Sequence, residues 1–337
     1  MKNLKNLLLG ASVLLATVAC NNETELDSLK SEEINFTQGE IAIPDATGST
    51  IEAYYLGQKV KLEFVNGDYI LDGDMIVPES QISFVAPPEG VATESVGRTG
   101  GRWANNIVYY QIDSNLPNQA RVTDAIAHWE ANTNLRFQQR TNQSDYIYFR
   151  SSGGCSSSLG RIGGRQFINL ASGCSTGNTI HEIGHAVGLY HEQSRADRDT
   201  YVNILFQNIQ SGRENNFRTY IQSGTDGDEY TSTLDFGSIM MYGPTFFSKN
   251  GQPTITKKDG SSYSVQRNTL SSDDKAGIAI MYPQNGGGGQ QYVNGQYYTI
   301  DGLRVYRYNN LWYWYGNGRN GTQWYQVENR NGSWFYA

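Results

Sequence analysis

Histidine and cysteine are scarce in this 337-residue chain, with four of the first and three of the second. Three cysteines cannot make the dense disulfide framework of a small secreted scaffold, so the fold must rest on an apolar core. The composition permits one, with 38% of residues hydrophobic and 18% charged, unlike a disordered chain. Basic residues are outnumbered by acidic ones, 26 to 33, giving a net charge of −7, and there is no run of Lys or Arg. Both features argue against a nucleic-acid partner. The apolar run Leu7–Val18 is too short to span a bilayer well. Glycine (37) and tyrosine (23) are abundant instead, which favours a strand- and loop-rich exported protein.

The short apolar run follows Lys2 and Lys5, and residues 1–19 read as an export signal. It ends Leu15-Ala16-Thr17-Val18-Ala19-Cys20, ahead of a polar and acidic stretch from Asn21 to Asp27. Small residues before a cysteine resemble a bacterial lipoprotein signal. That resemblance implies a lipid on Cys20, anchorage at the cell envelope, and a membrane link through the lipid alone. Cleavage after Ala19 with an incidental cysteine is the alternative. The rest divides into residues 20–98, with strand-like runs such as Val60–Phe64 and Tyr69–Leu71, a larger domain over 99–284, a Gly-rich linker over 285–291, and an aromatic-rich module over 292–337.

Three of the four histidines fall in His181-Glu182-Ile183-Gly184-His185-Ala186-Val187-Gly188-Leu189-Tyr190-His191. Residues i and i+4 share a helix face, so His181 and His185 can reach one Zn²⁺. Glu182 stands one step round the helix, where its carboxylate accepts a proton from water activated by the metal. Gly188 lets the chain turn out of the helix and return with His191 as the third ligand. The helix is expected to start at Asn178 or Thr179 and stop at Gly188. His128 reads as a surface or packing histidine, because nothing else on its helix has ligand spacing.

This pattern, followed by Ser238-Ile239-Met240-Met241-Tyr242, resembles the metzincin peptidases, and Glu192 after the third histidine resembles the astacin family among them. Asp235-Phe236-Gly237-Ser238 and Asn268–Asp274 also read like that family, and the likeness covers about Trp103 to Pro283. It implies an α+β catalytic domain with a mixed twisted sheet and a zinc helix, preceded by a propeptide and followed by a small antiparallel β module. It further implies Met240 packing beneath the metal and Tyr242 as a movable fifth ligand that serves the oxyanion. The family usually has histidine where this chain has Met241. Cys155 and Cys174 stand where astacins close a disulfide loop, worth about 3 kcal/mol by loop entropy, while Asn134 replaces a cysteine of the family's other bridge. In astacins the strand before the first loop cysteine is an edge to which substrate adds. Acidic residues after the scissile bond suit the family, and Lys257 and Lys258 are possible partners for them; solvated loop lysines are the other reading.

Leu71-Asp72-Gly73-Asp74 resembles the aspartate switch of astacin zymogens, with Asp74 reaching the metal. Asp68 is the rival, and a plain hairpin turn the bland reading. Arg98-Thr99-Gly100-Gly101-Arg102 is basic and suited to an activating protease. Val122, Ile126 and Trp129 predict a helix over about 118–131, residues 107–110, 135–138 and 146–150 read as strands, and 215–222 and 275–282 as helices. The C-terminal aromatics, among them Trp312 and Trp314, which strand alternation puts on one face, build either a platform for a glycan or protein ligand or simply the core of a small module. The expected activity is a zinc-dependent endopeptidase acting on proteins or peptides. A surface-binding protein with a silent peptidase domain is the alternative, and the retention of Glu182 speaks against it.

Overall fold

The computed structural model describes residues 40–55, 58–86, 101–225, 227–284, 296–300, 303–308, 311–318, 321–330 and 333–336. The export signal over 1–19, Cys20, Arg98 and the linker over 285–291 lie outside them. The fold is α+β. Ten strands form one sheet in the order β5-β1-β2-β3-β4-β9-β10-β8-β6-β7. They are β1 (Ser49–Tyr55), β2 (Gln58–Val65), β3 (Asp68–Leu71), β4 (Met75–Val77), β5 (Ile82–Ser83), β6 (Ile107–Ile112), β7 (Arg136–Gln139), β8 (Tyr146–Ser151), β9 (Ser156–Ser157) and β10 (Arg165–Leu170).

Alternation sets the faces of this sheet. In β8, Ile147 and Phe149 are fully buried, and in β10 Ile168 and Leu170 are too. They pack on α1 (Ala120–Asn132) and α2 (Thr176–Ala186), which share one core with them. Val122, Ile126 and Trp129 are the buried stripe of α1, and the Trp129 indole donates to Ile180 O of α2 at 3.1 Å. The lower part has its own core around Val202, Phe217, Tyr242 and Phe246. Beside it β11 (Val202–Ile204) and β12 (Ile255–Lys257) pair antiparallel. The disulfide Cys155–Cys174 is formed. Asn134, lacking a cysteine's bridge, donates instead to Tyr282 O at 3.0 Å.

Three expectations change. First, β8, the strand before Cys155, is internal, between β10 and β6. The strand β9, just after that cysteine, pairs antiparallel with β10 and takes β4 on its other side through Met75↔Ser157. The N-terminal strands β1–β5 therefore continue the sheet of the larger domain. Second, α2 begins earlier than expected, with Ser175 as N-cap and Asn178 as its reciprocal partner. Third, the predicted helix over 215–222 is broken. A 3₁₀ turn, Glu214–Phe217, ends at Arg218, and Thr219 caps a fresh short helix, α3 (Tyr220–Ser223), by accepting from Gln222 N.

Residues 296–336 form a five-stranded antiparallel meander, β13 (Gln296–Ile300), β14 (Leu303–Tyr308), β15 (Leu311–Gly318), β16 (Gly321–Arg330) and β17 (Ser333–Tyr336). Trp312 and Trp314 do share a face, but it is the one packed on Val305, Tyr325 and Val327. The exposed aromatics are on the other side, with Trp324 in ring contact with Tyr297, Tyr306 and Tyr315. The turns at 301–302, 309–310 and 331–332 fall outside the described residues.

Candidate active site

His181 and His185 project from one face of α2, and both are fully buried. Beyond Val187, Gly188 adopts φ +109°, a region that favours glycine, and Leu189 N returns to Gly184 O at 2.9 Å. This turn sets His191 beside the first two rings, with centroids 4.7, 4.8 and 5.4 Å apart. His181 Nδ1 donates to Ile239 O at 2.8 Å and His185 Nδ1 to Leu189 O at 2.7 Å. Those bonds hold the proton on Nδ1 and leave Nε2 as the ligating lone pair. Burial lowers the His191 imidazole to about 4, against the opposing charge of Asp74.

A fourth group meets them. Asp74 Oδ2 lies 3.3 Å from His181 Nε2 and 3.2 Å from His191 Nε2, and its Oδ1 lies 3.4 Å from His185 Nε2. One ligand atom from each of the four residues falls within 4.8 Å of the others. Three imidazole nitrogens and a carboxylate oxygen, all buried, fit Zn²⁺ in its preferred N/O coordination. Burial opposes ionisation of Asp74, yet the charges of His191 and His185 hold it well below the usual carboxylate range. The residue arrives on a tight turn in which Asp72 has φ +47° and Gly73 φ +88°. Its own carbonyl accepts from Ser157 N at 3.1 Å. Asp68, the rival, is exposed at the start of β3.

Glu182 is buried beside this group without belonging to it. Neither carboxylate oxygen has a hydrogen-bond partner among the described residues. Burial, and next the charge of Asp74, push its carboxyl well above the usual range, as suits a proton acceptor and donor. The segment 238–242 runs below. Ser238 Oγ donates to Asp274 at 2.6 Å and Ile239 N at 2.9 Å, so the cap of α4 (Ser272–Met281) positions the carbonyl that orients His181. Tyr242, expected as a fifth ligand, lies buried beside His191, with ring centroids 4.5 Å apart. Its hydroxyl donates to Asp72 O at 2.5 Å, and burial raises its pKa.

Two buried ion pairs have no signature in the sequence. Glu40 pairs with Arg267, with Nη2 to Oε2 at 2.7 Å, and also accepts from Asn178 of α2. Glu63 pairs with Arg213. No local spacing advertises either pair, since the partners are 227 and 150 residues apart. Lys258 donates to Asp199 O at 2.7 Å, and Lys257 stands over the Phe236 ring. His128 accepts from Leu270 N at 3.0 Å, away from the cluster. Arg102 is half-buried and donates to Tyr230.

Comparison with known proteins agrees with this geometry. Residues 95–283 match the family model described as Astacin, a family of peptidases. The chain is 37% identical over 253 residues to blastula protease 10 of Paracentrotus lividus, covering 68% of this chain and 42% of that protein. Zinc metalloproteinase nas-4 of Caenorhabditis elegans is 35% identical over 67% of this chain and 73% of its own length. Flavastacin of Elizabethkingia meningoseptica is 32% identical over 82% and 64%. The chain thus spans under half of blastula protease 10. Among solved structures, the hatching enzyme zinc-protease high choriolytic enzyme 1 of Oryzias latipes matches with TM-score 0.50 and 34% identity, over 54% of this chain and 92% of that one.

Proposed function

Since this chain belongs to the astacin family of peptidases, we propose that it is an exported zinc endopeptidase, made latent by its own N-terminal segment. The observation that carries this reading is the buried Glu182 carboxylate, without a hydrogen-bond partner among the described residues, beside three converging imidazoles. His181, His185 and His191 would hold the metal. When bound, zinc supplies a Lewis acid that acidifies water and polarises the scissile carbonyl. Glu182 takes the proton from the attacking water and passes it to the leaving amine. Tyr242, once freed from Asp72, donates its hydroxyl to the oxyanion.

Asp74 serves as the switch, occupying the position that a substrate carbonyl or water needs. Cleavage by an activating protease between β5 and Trp103 removes the segment. Arg102 is anchored to Tyr230, so a bond ahead of it suits that cut better. With lipid on Cys20, the same cut frees the enzyme from the envelope. Departure of the segment also strips Glu40 from Arg267 and Glu63 from Arg213. Those two arginines, in place of Lys257 and Lys258, are then the cationic side of the cleft that favours acidic residues after the scissile bond. The exposed aromatic face of the C-terminal module is read as a surface for a glycan or protein ligand. Chelation tests the whole scheme: hydrolysis of short peptides by the cleaved protein should vanish with the metal and return with added Zn²⁺. Chelator-resistant turnover would contradict it.

A further inference from the structure

The outer face of the sheet carries an arginine that neither the zinc chemistry nor the two buried ion pairs use. Arg150 on β8 stands over the Phe167 ring of β10, with Cζ 3.7 Å from the ring centroid. Its Nε donates to Asn169 Oδ1 at 2.7 Å. Asn169 in turn donates to Ser156 Oγ at 2.9 Å, so the guanidinium is tied by two hydrogen bonds to the strand β9. The ring contact and the Nε bond together fix the guanidinium and leave the Nη groups for a carboxylate. Among the described residues Arg150 makes no ion pair.

The cavity around it shows what it faces. Arg150, Ser156, Phe167 and Asn169 line one side, and Asp45 and Asp68 of the N-terminal segment line the other. Two carboxylates thus confront an arginine across an open cavity in a chain of net charge −7. The cavity also touches Ser152 and Gly153, just ahead of β9. Asp74 reaches the histidines while its carbonyl accepts from Ser157 N, so the reacting bond belongs near Ser157. A substrate paired antiparallel with β9 runs forward as β9 runs backward. Its residues beyond the scissile bond, on the C-terminal side, then pass Ser156 and reach Arg150.

We propose that Arg150, oriented by Phe167 and Asn169, is a specificity residue that binds an acidic side chain of the substrate a few positions beyond the scissile bond. The inference rests on the peptidase reading and refines it. Asp45 and Asp68 hold the same ground in the latent protein. The preference is separate from the one assigned to Arg267 and Arg213, which flank the bond itself.

The test uses protein cleaved from the full chain and C-terminally amidated peptides of one cleavable core, with Glu or Gln at each successive position after the bond. Wild-type enzyme should favour Glu at one of the more distant positions by about tenfold, through KM. Arg150→Gln should lose that preference and turn over the Gln peptides normally, and Arg150→Lys should keep part of it. Binding of the same peptides to cleaved Glu182→Ala protein, read by fluorescence anisotropy, gives a measure independent of turnover. An undiminished Glu preference in Arg150→Gln, by KM or by anisotropy, would overturn the proposal. Absence of cleavage in every peptide, with tighter Glu binding still dependent on Arg150, would sink the peptidase reading and leave this subsite standing.

Discussion

Met240 Sδ approaches Gly184 so closely that a Cβ added to the glycine would lie 2.7 Å from the sulfur. Gly184 sits between His181 and His185 on α2, in ordinary helical backbone. Its lack of a side chain is therefore a matter of space and not of conformation. The methionine packs against the helix between the two histidines because Gly184 is bare there.

Gly184→Ala should accordingly destabilise the protein. Alanine in a helix normally gains roughly 1 kcal/mol over glycine, but overpacking here costs about 1–3 kcal/mol. Thermal unfolding of the zinc-loaded protein should shift downward, and the variant should release zinc more readily to a competing chelator. A higher Tm with unchanged zinc retention would show that the contact is loose.

Tyr242→Phe should leave zinc content intact and lower kcat by about 10²- to 10³-fold, with little change in KM, if its hydroxyl becomes one oxyanion donor after activation. Steady-state kinetics on the cleaved protein decide this. Equal kcat in the two proteins would confine Tyr242 to its hydrogen bond with Asp72 in the latent form.

Latency should be shared between Asp74 and the buried pair Glu40–Arg267. The uncleaved chain should be nearly inactive on short peptides, and Asp74→Ala should raise its activity only part of the way. Adding Glu40→Gln strands Arg267 in a dry site and costs the closed state about 3–5 kcal/mol, so the double variant should be far more active without cleavage. Full activity in the uncleaved wild type would remove the switch from the account.

The fold and site were unequally legible in the sequence. His181, Glu182, His185 and His191 could be read because helix periodicity and a glycine turn fix their geometry within eleven residues, wherever the rest of the chain goes. Asp74 could be placed only by resemblance, since nothing local reveals that β4 joins β9. The same blindness hid Glu40–Arg267 and Glu63–Arg213, which exist only once the two segments meet. The break at Thr219 was missed because a side-chain cap outcompeted a continuous helix pattern. In the C-terminal sheet, alternation correctly put Trp312 and Trp314 together, but aromatic content alone does not say which face is wet.

For that module, removal of everything after Pro283 should leave short-peptide turnover unchanged and weaken attachment to a macromolecular or glycan-bearing target. Trp324→Ala, on the exposed face, should reproduce the loss. Trp312→Ala, on the packed face, should instead lower the module's stability. A pull-down on intact target together with thermal unfolding separates the two outcomes. Loss of peptide turnover on truncation would make the module structural.

The most direct test concerns Glu182. Wild-type and Glu182→Ala proteins, cleaved identically, would be compared for bound zinc by atomic absorption and for hydrolysis of a short peptide. Both should hold one zinc per chain, with hydrolysis lost from the variant alone. Normal turnover by Glu182→Ala, or loss of its zinc, would contradict the assignment of this carboxylate as the proton acceptor beside a three-histidine metal site.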